Sequence, residues 1–175
     1  VEWQLRVASG EELPLRQDQI TMSGHAIEAR LYAEDPAKGF LPSTGQLERF
    51  ALPSSIRPLR VTDAHGREME EARPGTVRIE TGVEQGGTTS PHYDPMIAKI
   101  VCHAGSRREA AAGLSHVLWD AQIWPVKTNA TFIGTALVHP DFMASRLDTG
   151  FIEGHEDDLV YEVEPPAWLL ALVAE

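Results

Sequence analysis

Apolar residues along this 175-residue chain keep two rhythms. The first has a period of two. Ile27, Ala29 and Leu31 alternate with Glu28, Arg30 and Tyr32, and Val77, Ile79, Thr81 and Val83 alternate with Arg78, Glu80 and Gly82. A strand turns successive side chains to opposite faces, so each run predicts a strand with one buried face. The first lies in a longer run, Ile20 to Tyr32, that reads as extended around Gly24. Met96 to His103 is more evenly apolar, broken by Lys99, and predicts another strand. Gly86-Gly87 and Ser90-Pro91 supply turn chemistry between these last two runs, which predicts an antiparallel pair. Gln46 to Phe50 predicts one more short strand.

The second rhythm is helical. Ser106 and Glu109 have capping-box spacing, and Ala110, Leu114, Val117, Leu118 and Ala121 then fall on one face. Trp124-Pro125 is the expected stop. Thr128 or Asn129 caps a second helix that is expected to bury Phe132, Ile133, Ala136 and Leu137 and to end at His139-Pro140. At the start of the chain, Val1, Leu5 and Ala8 have helical spacing, Arg6 sits in the last turn, and Gly10 is placed as a C′ residue. No capping residue precedes them, so residues 1–10 are expected to be the end of a helix that starts upstream.

Between the periodic runs lie a turn-rich loop from Glu34 to Gly45 and a polar excursion from Pro53 to Pro74. The excursion has the look of a surface hairpin around Ala64-His65-Gly66. Beyond His155 the chain turns acidic, Glu156-Asp157-Asp158, and passes Pro165-Pro166 before a last apolar stretch. Residues 156–175 are therefore expected to be a linker and the start of another domain. The fold class expected is α+β, an antiparallel sheet followed by a helical pair over residues 11–155.

Composition narrows the function classes. Fifteen Lys and Arg against 26 Asp and Glu give a net charge of −11, which repels polyphosphate and argues against nucleic acid. One cysteine, Cys102, permits neither an internal disulfide nor a thiolate metal cage, which suits a cytoplasmic or organelle-matrix setting. No apolar run approaches the ~20 residues that span a bilayer, so no membrane partner is expected. No phosphate-binding glycine loop, nucleophile elbow or zinc-protease motif is present.

Four ordered stretches add what physics alone does not. They are Gly24-His25-Ala26-Ile27-Glu28-Ala29-Arg30-Leu31-Tyr32-Ala33-Glu34-Asp35-Pro36 with Gly39-Phe40-Leu41-Pro42-Ser43-Thr44-Gly45; Val77-Arg78-Ile79-Glu80-Thr81-Gly82-Val83; Ser90-Pro91-His92-Tyr93-Asp94-Pro95-Met96-Ile97-Ala98-Lys99; and Val126-Lys127-Thr128-Asn129 with Asp148-Thr149-Gly150-Phe151-Ile152. In this order they resemble the C-terminal domain of biotin carboxylases, over about residues 1–155. The nearest likeness is to the α subunit of bacterial acyl-CoA carboxylases acting on 3-methylcrotonyl-CoA, propionyl-CoA or acetyl-CoA. Pyruvate carboxylase, urea carboxylase and a non-catalytic assembly module are the alternatives. About residues 55–73 look like an insertion relative to that family.

The resemblance implies a ligase reaction in which ATP and bicarbonate carboxylate biotin on a carrier, with biotin, ATP and Mg as cofactors of the whole enzyme. It implies an upstream ATP-grasp domain, a biotin carrier domain, a carboxyltransferase β subunit and a homodimer as partners. A fragment without the nucleotide region is expected to be inactive and to bind none of these cofactors tightly.

By the same resemblance, Arg78 is the catalytic and biotin-binding residue, and Thr149 lines the adenine pocket. The chemistry suits arginine: removing the biotin N1′ proton puts negative charge on the ureido oxygen, and a guanidinium stays protonated and offers a rigid donor fork. Arg78 and Glu80 share a strand face, so Glu80 either orients Arg78 or is plain surface. His25 and Glu28 point to opposite faces and should hold no metal between them. Tyr93 and Asp94 are expected to close a hairpin, Cys102 to be an inert buried thiol, and Gly82, Gly86 and Gly87 to serve a turn.

Overall fold

The computed structural model describes residues 1–55, 59–62, 68–71, 75–92 and 94–160, with no side-chain description for 59–62 and 68–71. The predicted turn around Ala64 to Gly66, Tyr93, and the last apolar stretch fall outside them.

Helix α1 (Glu2–Ala8) buries none of its residues. It ends as the sequence predicts. Gly10 takes φ +89°, and the amides of Gly10 and Glu11 bond the carbonyls of Val7 and Arg6 at 3.0 and 3.1 Å. These two bonds form a Schellman motif, which needs a residue tolerant of left-handed backbone at Gly10.

Strand β1 (His25–Tyr32) is followed, after a loop, by the short strand β2 (Arg49–Ala51) and then by β3 (Thr76–Thr81) and β4 (Met96–Ala104). The main sheet has the order β1-β4-β3 and is antiparallel throughout. The predicted β3–β4 pair is present, and β4 gains β1 on its other edge. Alternation works out as expected. Ala29, Ile100 and Ile79 lie in register on one face, with Ile27, Cys102 and Val77 in the neighbouring row. This face is the core, where Leu31, Ile100 and Cys102 are all 0% exposed. Gly24 enters β1 at φ +70°, where a Cβ would stand 2.4 Å from the carbonyl of Ala104, so the close approach to β4 requires a glycine.

Helix α2 (Arg107–Trp119) covers that face. Its capping box is fully formed: Ser106 Oγ accepts from the Glu109 amide at 3.2 Å, and Glu109 accepts from the Ser106 amide at 2.9 Å. Burial spreads beyond one face to include Ala111, Gly113 and Ser115, because α2 lies between the sheet and a second helix. The helix stops at Trp119, not at Pro125. Gln122–Trp124 (β5) instead pairs antiparallel with β2, a long-range partner that draws these residues out of the helix.

The second helix, α3 (Ala130–Val138), packs on α2. Contact is close. Ser115 Oγ donates to the Gly134 carbonyl at 2.8 Å, and a Cβ on Gly134 would meet the Trp119 ring at 2.5 Å. Asn129 precedes α3, but its side chain makes no capping bond. Its amide reaches β1, accepting from the Tyr32 amide at 2.9 Å and donating to the Arg30 carbonyl at 3.3 Å. Of the residues expected in the core of α3, only Leu137 is buried; Phe132, Ile133 and Ala136 are half-buried.

Three short helices follow: α4 (Pro140–Met143), α5 (Phe151–Gly154) and α6 (Glu156–Leu159). Leu159 is 1% exposed, so packed structure reaches past the composition shift at residue 156. The architecture is α+β, with the helical pair extended by these turns. The polar excursion does carry a hairpin: Leu59–Thr62 pairs antiparallel with Glu68–Glu71.

Candidate functional site

The outward face of the main sheet is charged. Register places Arg30, Lys99 and Glu80 in one row across the three strands, and Glu28, Val101 and Arg78 in the next. Inward neighbours are apolar, buried on β4 and half-buried on β3, and their packing turns these charges to the other side of the sheet.

Arg78 stands on edge strand β3 with its side chain 69% exposed. Its Nε lies 3.1 Å from Glu80 Oε1, and Lys99 Nζ lies 3.6 Å from the other carboxylate oxygen of Glu80. Glu80 therefore sits between two cations and ties β3 to β4. Binding through Nε leaves the two terminal nitrogens of Arg78 without a protein partner among the described residues. Both side chains of the pair are largely exposed, so the rest of the guanidinium is open to solvent. Arg30 lies across β4 from this pair, 3.7 Å from Glu28, and its bond with Tyr32 pushes its pKa further up.

Thr149 is elsewhere. It lines an apolar groove of 340 Å³ with Phe132, Ile133, Phe142, Phe151 and Ile152, in the helical layer that the sheet's inner face is turned toward. Arg78 faces the opposite way. The half-buried side chains of α3 are explained by this groove. The lining is mainly apolar, with Asp148 and Thr149 as its polar members.

Among the remaining candidates, Asp94 Oδ1 accepts from the Met96 amide at 3.0 Å, the side-chain-to-backbone closure expected of it. Gly86 has φ +88°, and the Gly87 amide bonds the Glu84 carbonyl at 2.9 Å, so these glycines form a turn. Burial pushes the Cys102 thiol up, keeping it protonated and unreactive. His25 and Glu28 do not gather with a third ligand among the described residues. Sequence reading missed Lys99 and Arg30 as members of the charged face. Lys99 left a signal, as the one charge inside an apolar strand; Arg30 left none beyond its alternation.

Comparison with known proteins gives the arrangement its family. The model of the biotin carboxylase C-terminal domain matches residues 28–154. The chain is 46% identical, over 95% of its length, to the mitochondrial methylcrotonoyl-CoA carboxylase subunit alpha of Arabidopsis thaliana. It is 38% identical over 89% of its length to the biotin carboxylase of Halalkalibacterium halodurans. It covers 20% and 30% of those two proteins, so it spans well under half of the relatives it matches. Among solved structures it superposes on the biotin carboxylase domain of a thermophilic 2-oxoglutarate carboxylase bound to bicarbonate. The TM-score there is 0.73 at 30% identity, covering 92% of this chain and 32% of that one. The biotin carboxylase subunit of pyruvate carboxylase gives 0.73 at 31% identity, covering 93% and 32%. An outward arginine held by a glutamate on the sheet, and a family match across the described core, lead to one statement: the chain belongs to the biotin carboxylase C-terminal domain family.

Proposed function

We propose that this chain is the C-terminal part of the biotin carboxylase component of an acyl-CoA carboxylase, and that Arg78 is its catalytic residue. The carrying observation is Arg78 on the outer face of β3, paired through Nε with Glu80 and otherwise open to solvent. When biotin loses its N1′ proton to attack carbon dioxide derived from bicarbonate, Arg78 donates to the ureido oxygen where charge develops. Glu80 positions Arg78, and Lys99 restrains Glu80 from the neighbouring strand. Thr149 lines the apolar groove, which in this reading faces the adenine ring. On the same reading, ATP, Mg and the reacting phosphates belong to an ATP-grasp domain upstream.

Helix α1 supports such a neighbour. It leaves Trp3, Leu5 and Val7 exposed, an apolar surface that an adjoining domain would cover. An acyl-CoA carboxylase is favoured over a pyruvate carboxylase because identity reaches 46% with the former type and 31% with the latter. The same reading brings a biotin carrier domain, a carboxyltransferase β subunit and a homodimer as partners, and a cytoplasmic or matrix location.

The test is phosphate release from Mg-ATP in the presence of bicarbonate and free biotin. The chain alone should show none, and the chain joined to its ATP-grasp region should turn over in a bicarbonate- and biotin-dependent way. Turnover by the chain alone, or none by the joined protein, would overturn the proposal.

A further inference from the structure

Away from the charged sheet face, His139, Asp141 and His155 each bring a ligand atom within 4.8 Å of the other two. They come from three different places: the C-cap of α3, the first turn of α4 and the junction of α5 with α6. All three are half-buried, which leaves a path for a small ion.

The hydrogen bonding around the three is specific. His155 Nδ1 lies 2.9 Å from the carbonyl of Phe151. A carbonyl only accepts, so Nδ1 carries a proton and Nε2 is the nitrogen turned toward Asp141. Nε2 faces Asp141 Oδ2 at 3.3 Å, a spacing that one cation bridges, either a proton on Nε2 or a metal ion in its place. The other oxygen, Asp141 Oδ1, accepts from Arg146, with Nε at 2.8 Å. Arg146 also holds the Asp141 carboxyl below its usual range, so Oδ2 is an ionised donor. His139 Nδ1 accepts from the Asp141 amide at 3.2 Å, so its lone pair caps α4, and coordination by His139 replaces that bond. The His139 and His155 rings meet edge to face, 4.4 Å between centroids.

We propose that His139, Asp141 and His155 form a binding site for a divalent transition metal, zinc being the best fit. Imidazole and carboxylate donors suit zinc, and tetrahedral bonds of about 2.0–2.1 Å put ligand atoms roughly 3.4 Å apart. The 3.3 Å between His155 and Asp141 matches that spacing, while the set as a whole lies within 4.8 Å and would draw in around the ion. The outer shell is already in place: a ligand histidine donates its other nitrogen to a backbone carbonyl, and a ligand carboxylate is held by arginine. Three protein ligands leave a fourth position for water or an added group. Phe151 links the site to the groove of Thr149, because its ring touches His139 and its carbonyl holds His155. A bound ion fastens α5, and with it that wall of the groove, to α4. This inference stands apart from the role of Arg78.

The experiment is a calorimetric titration of chelator-treated protein with zinc, paired with visible absorption on adding cobalt(II). One ion should bind per chain, with cobalt bands of a tetrahedral nitrogen and oxygen site, and binding should tighten as pH rises and the imidazoles shed protons. Losing an outer-shell partner of a metal ligand costs about 10–100-fold in affinity, so His155→Ala should cost at least that. The isosteric Asp141→Asn, checked for an unchanged circular dichroism spectrum, should weaken binding likewise. His92→Ala, on an exposed turn, should change nothing. The proposal is overturned if wild-type protein shows no saturable site at millimolar zinc, or if His155→Ala and Asp141→Asn bind as well as wild type. An NMR titration with His155 doubly protonated and indifferent to zinc would also overturn it, assigning the cation between Nε2 and Oδ2 to a proton.

Discussion

The two faces of the three-stranded sheet are built from the same strands, offset by one residue, and they do opposite work. Inward, Leu31, Ile100 and Cys102 lose all contact with water and meet α2. Outward, Arg78, Glu80 and Lys99 stay half-buried or exposed and meet one another. Burial of apolar area drives folding in the first case. In the second, exposed ion pairs contribute little to stability, about 0–1 kcal/mol each, and their value lies in orientation. The difference teaches that a strand of period two can carry a core and a site together, so that either can be altered while the other is kept.

Ile100→Ala attacks the inner face. The residue is fully buried at the centre of β4, and truncating such a side chain costs about 2–5 kcal/mol through lost transfer energy and the cavity left behind. Urea unfolding should show the unfolding free energy falling by that amount, through a lower midpoint with the slope unchanged. A loss under about 1 kcal/mol would mean that the core is not organised around β4. At the other extreme, Glu28→Gln removes a 3.7 Å outer-face pair with Arg30 and should move stability by no more than about 0.5 kcal/mol in the same assay. A larger shift would show the charged face to be structural.

What was legible in the sequence was local. The Ser106–Glu109 capping box, the Gly10 terminus, the turn glycines and the β3–β4 pair all rest on chemistry within a few residues or on one simple alternation. The pairing of β1 with β4 was not legible, because it joins residues about seventy positions apart and no turn signals it. The early end of α2 has the same cause. Gln122–Trp124 is captured by Arg49–Ala51, and a distant strand outweighs helix periodicity over three residues. Asn129 reads as a cap from sequence because Asn is a good one, but a buried amide does more by satisfying two backbone groups of β1. At the site, Arg78 and Glu80 were visible as strand neighbours plus a family motif. The cluster of His139, Asp141 and His155 was invisible, since only the folding of α5 and α6 back onto α3 brings its members together.

The claim that the outer face does chemistry without holding the fold rests most directly on Arg78→Ala in the intact enzyme, followed by the rate of carboxybiotin formation. Removing one preorganised donor to a developing oxyanion costs about 10²–10³-fold in rate, so carboxylation should fall by that factor. Bicarbonate-dependent ATP cleavage and the unfolding midpoint should stay close to wild type. Arg78→Lys should recover little, because an ammonium lacks the planar fork. Carboxybiotin formed by Arg78→Ala at near the wild-type rate would contradict the account and leave Arg78 as a surface partner of Glu80.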